Sequence, residues 1–300
     1  MKTLDQIQPR TPISALPFFI NTPGSYYVTT NLVGIPGTNG ITIAANDVSI
    51  DLSGFALYGV AGSVDGILVG LTGFDAYTNI AVANGTIRDW DHKGVNGNFS
   101  AYNCRFERLH VLKNKDAGLD AGYQAAINHC EAVNNGSYGI YSFNALIESC
   151  VANLNVGEGI YASGGRVLNC SCQSNGGQGV RVFNGGFVSG CLCSLNARSG
   201  IGIGVNSVAY GNDCVGNNTS TVAIEAGIVS FLGPGRIEGN HVGYSTGYGI
   251  MVVPGQTGVV VIKNSTAGNT NNVYSIPAGN DVGPWGNAAT STSPWANIYN

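Results

Sequence analysis

The chain has 300 residues, of which 10% are charged and 44% hydrophobic, and its formal net charge is −4. That hydrophobic share excludes a disordered polymer, and no apolar run approaches membrane-spanning length. No basic stripe is present, so neither nucleic acid nor membrane insertion is expected.

At the N-terminus, Met1-Lys2-Thr3-Leu4-Asp5-Gln6 lacks the apolar stretch of a signal peptide. Residues 1–25 contain Pro9, Pro12, Pro17 and Pro23 after a short amphipathic start at Leu4 and Ile7, and are expected to form a cap. From there a Gly-aliphatic pair recurs. It appears loosely at Gly40-Ile41, Gly66-Ile67 and Gly94-Val95, the last followed by Cys104. Between Gly118 and Gly200 it returns about every 20 residues, at Gly118-Leu119, Gly139-Ile140, Gly159-Ile160, Gly179-Val180 and Gly200-Ile201. A cysteine follows at a matching offset (Cys130, Cys150, Cys170, Cys191, Cys214), and then an asparagine (Asn135, Asn155, Asn175, Asn196). Looser copies follow at Gly227-Ile228 and Gly249-Ile250.

A fixed period of this size marks a solenoid, in which each repeat buries its apolar face against its neighbours. Helical repeats need longer units and few glycines, and leucine-rich repeats need more leucine. The apolar pieces here are short and alternate, as in Gly159-Ile160-Tyr161-Ala162-Ser163, which is strand periodicity. Short strands joined by tight bends coil into an all-β, single-stranded parallel β-helix. Residues 26–270 are expected to form about ten coils stacked roughly 4.8 Å apart. The cysteines then form an inward ladder of packed thiols. The asparagines form a second ladder that tolerates the left-handed bend and bonds to its copies above and below. Residues 271–300 lose the repeat and gain Tyr274, Trp285, Trp295 and Tyr299; they are expected to be a capping tail folded back along the barrel, within one structural domain.

Pro23-Gly24-Ser25-Tyr26-Tyr27-Val28, Asn31-Leu32, Gly40-Ile41-Thr42-Ile43 and Val48-Ser49-Ile50-Asp51-Leu52-Ser53-Gly54 resemble the entry coil of bacterial proteins of the pectate-lyase-like superfamily. The Gly-Ile…Cys…Asn units are similar to that superfamily's carbohydrate-binding and sugar-hydrolase repeats. The resemblance covers about residues 20–275. It implies a right-handed coil, as general crossover preference also does. It also implies an extracellular or cell-surface location, with a virion as the alternative. It does not select an activity, because lyases, hydrolases, epimerases, tail spikes and adhesins share the fold.

Alternation turns the repeat into a surface map. If the aliphatic residue after each glycine points inward, the next points outward, giving a row of Asn96, Asp120, Tyr141, Tyr161, Arg181 and Gly202. The residue before each glycine gives a parallel row of Lys93, Ala117, Tyr138, Glu158, Gln178 and Ser199. Two residues beyond the first row lie Asn98, Gly122, Phe143, Ser163, Phe183 and Gly204. Aromatic rings among charges suit sugar rings, whose apolar faces stack while charges reach hydroxyls and carboxylates. The substrate-binding residues expected on this face are Asp120, Tyr138, Tyr141, Phe143, Glu158, Tyr161 and Arg181, and the partner is a polysaccharide or other glycan.

A polysaccharide lyase needs a base and a cation that neutralises a uronate carboxylate. Lys93, Asp120, Tyr141, Glu158, Tyr161 and Arg181 are the candidates for chemistry, and Asp116 and Asp120 the candidate ligands for calcium, the one cofactor considered. Lys93 and Arg181 lie several coils apart, about 20 Å, so one site cannot use both. Trp90-Asp91-His92 matches a pectate-lyase signature only superficially. A glycosidase needs two carboxylates at a defined separation. Asp120 and Glu158 lie two coils apart, and Asp116 and Asp120 straddle a bend. If the chain is an enzyme, these residues favour a lyase over a hydrolase. The other reading is a non-catalytic adhesin or phage-fibre-like β-helix, monomeric or homotrimeric.

Overall fold

The computed structural model describes residues 10–71, 75–97, 99–271 and 273–299. Among them the chain is all strand and bend. It winds as a right-handed parallel β-solenoid, with parallel pairing from Thr11 at one end to Tyr299 at the other. Twelve strands follow one another along the sheet that carries the aromatic rows, so the stack is about 53 Å long. The other sides of each coil merge into a second sheet.

One central coil shows how sequence makes the turn. Strand Ile140–Phe143 ends at Asn144 (φ 52°), strand Leu146–Glu148 at Ser149 (φ 53°), and strand Val151–Asn153 at Leu154 (φ 57°). Each left-handed residue swings the chain to the next side, so the coil closes after about 20 residues. The alternate residues Ile140, Ile147, Cys150 and Ala152 fill the interior, all at most 1% exposed.

The Gly and Asn positions of the repeat depend on each other. Asn135 Nδ2 donates to Asn155 Oδ1 at 3.0 Å, Asn155 Nδ2 to Asn175 Oδ1 at 3.0 Å, and Asn175 Nδ2 to Asn196 Oδ1 at 2.9 Å. Asn114 and Asn217 extend the ladder at its two ends. The glycine closes over the amide of the next ladder step: a Cβ on Gly118 would sit 2.6 Å from Asn135 Nδ2, and one on Gly159 2.7 Å from Asn175 Nδ2. Glycine therefore opens each unit because the ladder leaves no room for a side chain.

The structure corrects several expectations. The left-handed residue is the one before the ladder asparagine (Asn134, Leu154, Ser174, Leu195), because the ladder amide must point inward. Cys214 does not continue Cys130, Cys150, Cys170 and Cys191. It stacks on Cys193 and Cys172, while Asn212, Asn240, Asn264 and Asn297 extend the first row, held by their own amide ladder. All eight cysteines are buried and unbridged. Residues 11–20, assigned to the cap, already contain strands Thr11–Ile13 and Phe18–Ile20, which pair with the following coil; residues 1–9 lie outside the described residues. At the other end strands Asp281–Val282 and Asn297–Tyr299 pair onto the last coil. The tail therefore continues the stack and does not run back along the barrel.

Leu154 and Leu195 are half-exposed leucines in a left-handed conformation that costs a β-carbon-bearing residue about 1–2 kcal/mol. Leu154→Asn is expected to stabilise the fold by about 1 kcal/mol, read as a higher denaturation midpoint. An unchanged or lower midpoint would show that the leucine's surface contacts outweigh the strain.

Candidate functional site

The outward row is formed as its spacing predicts: Asn96, Asp120, Tyr141, Tyr161, Arg181 and Gly202 stand in register on successive coils. Beside it, backbone hydrogen bonds align Lys93, Ala117, Tyr138, Glu158, Gln178 and Ser199 through their neighbouring glycines. The third row differs from expectation. A register shift between Asp120 and Tyr123 brings Tyr123, and not Gly122, opposite Phe143. Gly122 absorbs the shift at φ 68°. Asn98 lies outside the described residues.

The shift builds an aromatic ledge. Tyr123 stacks between Tyr102 (centroids 5.0 Å, 10°) and Phe143 (4.8 Å, 18°), and Phe99, half-exposed on the preceding bend, leans over both Tyr123 and Phe143. Tyr141 meets Phe143 edge-on at 5.2 Å and joins this ledge to a second cluster of Tyr138, Tyr141 and Tyr161, with centroids 5.2–5.6 Å apart. At the far end Arg181 lies over Phe183 (4.8 Å), Tyr161 (5.7 Å) and Phe231 (5.7 Å) and binds Glu158 Oε1 at 3.1 Å.

A cavity of about 240 Å³ opens between the two clusters, lined by Lys93, Phe99, Asp116, Ala117, Asp120, Tyr138 and Tyr141. Asp116 and Asp120, which straddle a bend in the sequence, both face it. Asp120 Oδ2 accepts from Lys93 Nζ at 2.7 Å, and its side chain is almost fully buried. Burial pushes the Asp120 carboxyl up, against the pull of the Lys93 ammonium. Burial also pushes the Tyr141 phenol up to about 12, so it remains a protonated donor through neutral pH. Tyr138 shifts the same way, first by burial and then by the Glu158 charge. The pair does not fit a calcium site. The Lys93 ammonium already occupies the cation position at Asp120, and among the described residues no three His, Cys, Asp or Glu side chains are arranged to hold a metal ion.

Two further groups lie behind the lining residues Lys93 and Asp116: His92, next to Lys93, and Asp65, from the preceding coil. Asp65 is 3% exposed; its Oδ1 lies 2.6 Å from His92 Nδ1 and accepts from the Lys93 backbone N–H at 3.0 Å, and its Oδ2 accepts from Asn96 Nδ2 at 2.9 Å. The other imidazole nitrogen, Nε2, lies 3.4 Å from Asp116 Oδ2. A buried carboxylate thus orients an imidazole toward the cavity rim, an arrangement suited to proton transfer. Asp65 occupies the position before Gly66-Ile67, the coil equivalent of Lys93. Extending that row one coil upstream would have found it. Phe231 is found in the same way, as the residue that follows Gly204 in the third row one coil downstream, whereas Phe99 and Glu225 carry no such signal, because they come from bends of irregular length. Glu225, 2% exposed, reaches back from its bend to accept from Gln178 Nε2 at 3.0 Å and from the Ser199 hydroxyl and N–H.

The arrangement can stack sugar rings along an aromatic strip and move protons at the cavity. The candidates split into two groups: Lys93, Asp116, Asp120, Tyr138 and Tyr141 at the cavity, and Glu158, Tyr161 and Arg181 further along the axis, with Phe143 on the ledge.

No protein-family model and no curated protein matches the chain. Solved structures do. The A-module of the Azotobacter vinelandii mannuronan C-5 epimerase AlgE6 aligns with TM-score 0.76 at 15% identity, over 97% of this chain and 90% of that one. The Dettilon tailspike protein aligns with TM-score 0.65 at 14% identity, over 97% of this chain and 60% of that one. An alginate lyase from Paenibacillus sp. str. FPU-7 aligns with TM-score 0.54 at 14% identity, over 91% and 99%. At these identities the likeness is one of fold.

Proposed function

We propose that the protein binds a polysaccharide chain along the aromatic rows and acts on it by acid–base chemistry at the cavity between Lys93 and Tyr141. The observation that carries this reading is the adjacency of two stacked aromatic clusters to a cavity whose lining includes a buried, raised carboxyl. Stacked rings offer apolar platforms for sugar faces, and a carboxyl shifted by its surroundings is matched to proton transfer. In this reading Asp120 accepts a proton, the Tyr141 phenol donates a hydrogen bond, and Tyr138, Tyr161, Phe143, Glu158 and Arg181 hold the chain. The solved structures with this fold include an epimerase module and a lyase that act on polysaccharides by name, which supports the reading.

A panel of neutral and uronate-containing polysaccharides, followed for new reducing ends and unsaturated ends, tests it. Tyr141 touches Tyr138, Phe143 and Tyr161, so Tyr141→Ala is expected to weaken glycan binding by about tenfold, with the coil intact. Equal binding by the variant would remove the aromatic rows from the site. One observation favours a second reading, a non-catalytic surface or fibre module: Lys93 and Arg181 are each already held by a carboxylate. Binding without turnover across the panel would select it.

A further inference from the structure

We infer that the chain held by this face is uncharged, and that polyuronates are excluded. The inference rests on the groove reading above and goes further by naming the substrate class. Five carboxylates belong to the face and its flanking bend: Asp65, Asp116, Asp120, Glu158 and Glu225. Three permanent cations face them. Lys93 is 2.7 Å from Asp120, Arg181 is 3.1 Å from Glu158, and Arg198 is 3.8 Å from Glu225. His92 adds a fourth when protonated, and it lies between Asp65 and Asp116. The face is negative in either state, and Lys93 and Arg181 each hydrogen-bond a carboxylate, while the buried Arg181 Nε–H has no partner.

An anionic polymer would have to approach this excess of carboxylates, in a partly buried setting where charge interactions are poorly screened. Elimination next to a uronate carboxylate also needs a cation to neutralise it, and the one that lines the cavity, Lys93, is held by Asp120. Hydroxyl-rich neutral sugars meet no such barrier. They also supply what the face lacks. Asn96 Oδ1 and Gln178 Oε1 are buried acceptors without a partner, in side chains 8% and 1% exposed. Gln178 Oε1 lies over Gly202, where a Cβ would approach it to 2.2 Å, which places it beside Arg181 on the outward row. Sugar hydroxyls donate to such oxygens, whereas carboxylates only accept.

Affinity electrophoresis of the purified chain at low ionic strength, in gels cast with neutral glucans, mannans and galactans or with alginate and polygalacturonate, tests this. Retardation is expected from a neutral polymer, with apparent affinity at least about tenfold above that for either polyuronate. Equal or stronger retardation by a polyuronate overturns the inference and leaves the groove reading standing. No retardation by any polymer, with Tyr141→Ala behaving like the parent chain, overturns the groove reading itself. Asp116→Lys, at a partly exposed position, is expected to gain polyuronate retention by about tenfold while its melting midpoint holds; a folded variant without that gain also counts against the charge argument.

Discussion

Asn155→Ala is expected to destabilise the coil by about 4 kcal/mol, more than a truncation of the same size on the surface. Asn155 sits at 1% exposure in the middle of the amide ladder. Its Oδ1 accepts from the backbone N–H and the Nδ2 of Asn135, both at 3.0 Å, and its Nδ2 donates to Ala132 O at 2.9 Å and to Asn175 Oδ1 at 3.0 Å. Alanine leaves these donors and acceptors in place and removes their partner. A buried polar group stripped of its partner costs about 1–3 kcal/mol, and several are stripped at once. The tight approach of Gly139, whose Cβ would lie 2.6 Å from Asn155 Nδ2, limits how much water can replace the amide. Denaturant unfolding followed by circular dichroism measures the effect. Asn153→Ala is the control: that side chain faces outward and accepts one exposed hydrogen bond from the Gln173 N–H, so less than about 1 kcal/mol is expected. Similar losses from the two substitutions would show that the ladder is not what holds the coil pitch.

Asp120→Asn is expected to lower the turnover of any glycan the protein processes by about 10²–10⁴-fold while binding persists. The amide keeps the shape and can still accept from Lys93, but it cannot take a proton. Steady-state rates set against binding affinity separate these outcomes. A loss confined to affinity would make Asp120 a binding group only. Lys93→Met adds a pH readout. Burial raises the Asp120 carboxyl and the Lys93 ammonium pulls it down. With the ammonium gone, burial is opposed only by the hydrogen bond from the Gly122 N–H, so Asp120 holds its proton to higher pH and the acidic limb of kcat/KM moves upward. A limb that stays in place would assign the base to another group, with His92 and its Asp65 partner next in position.

The repeat by itself determined the solenoid, because it is made of nearest-neighbour contacts. Asn135, Asn155, Asn175 and Asn196 each need only the next copy about 20 residues on, so spacing alone places them. The outward row from Asn96 to Gly202 follows for the same reason: strand alternation fixes its direction and the period fixes its register. Where local rules were interrupted, sequence spacing misplaced residues. Cys214 shares the repeat's residue type but belongs to the other cysteine row, at the position of Cys193, because Asn212 takes the place of Cys191. Gly122 yielded its place to Tyr123 at a register shift that no periodicity marks.

The site was decided by the tertiary structure. Phe99 and Glu225 come from bends of irregular length, and only packing shows that they reach the face to meet Phe143 and Gln178. Asp116 and Asp120, with a bend between them, converge on one cavity, and Asp65 reaches His92 across 27 residues of chain. A stacking period sets distances along the axis and the inward or outward sense of each strand residue. It does not set how far a bend leans over the face or which charges end up paired there, and those two properties define the groove.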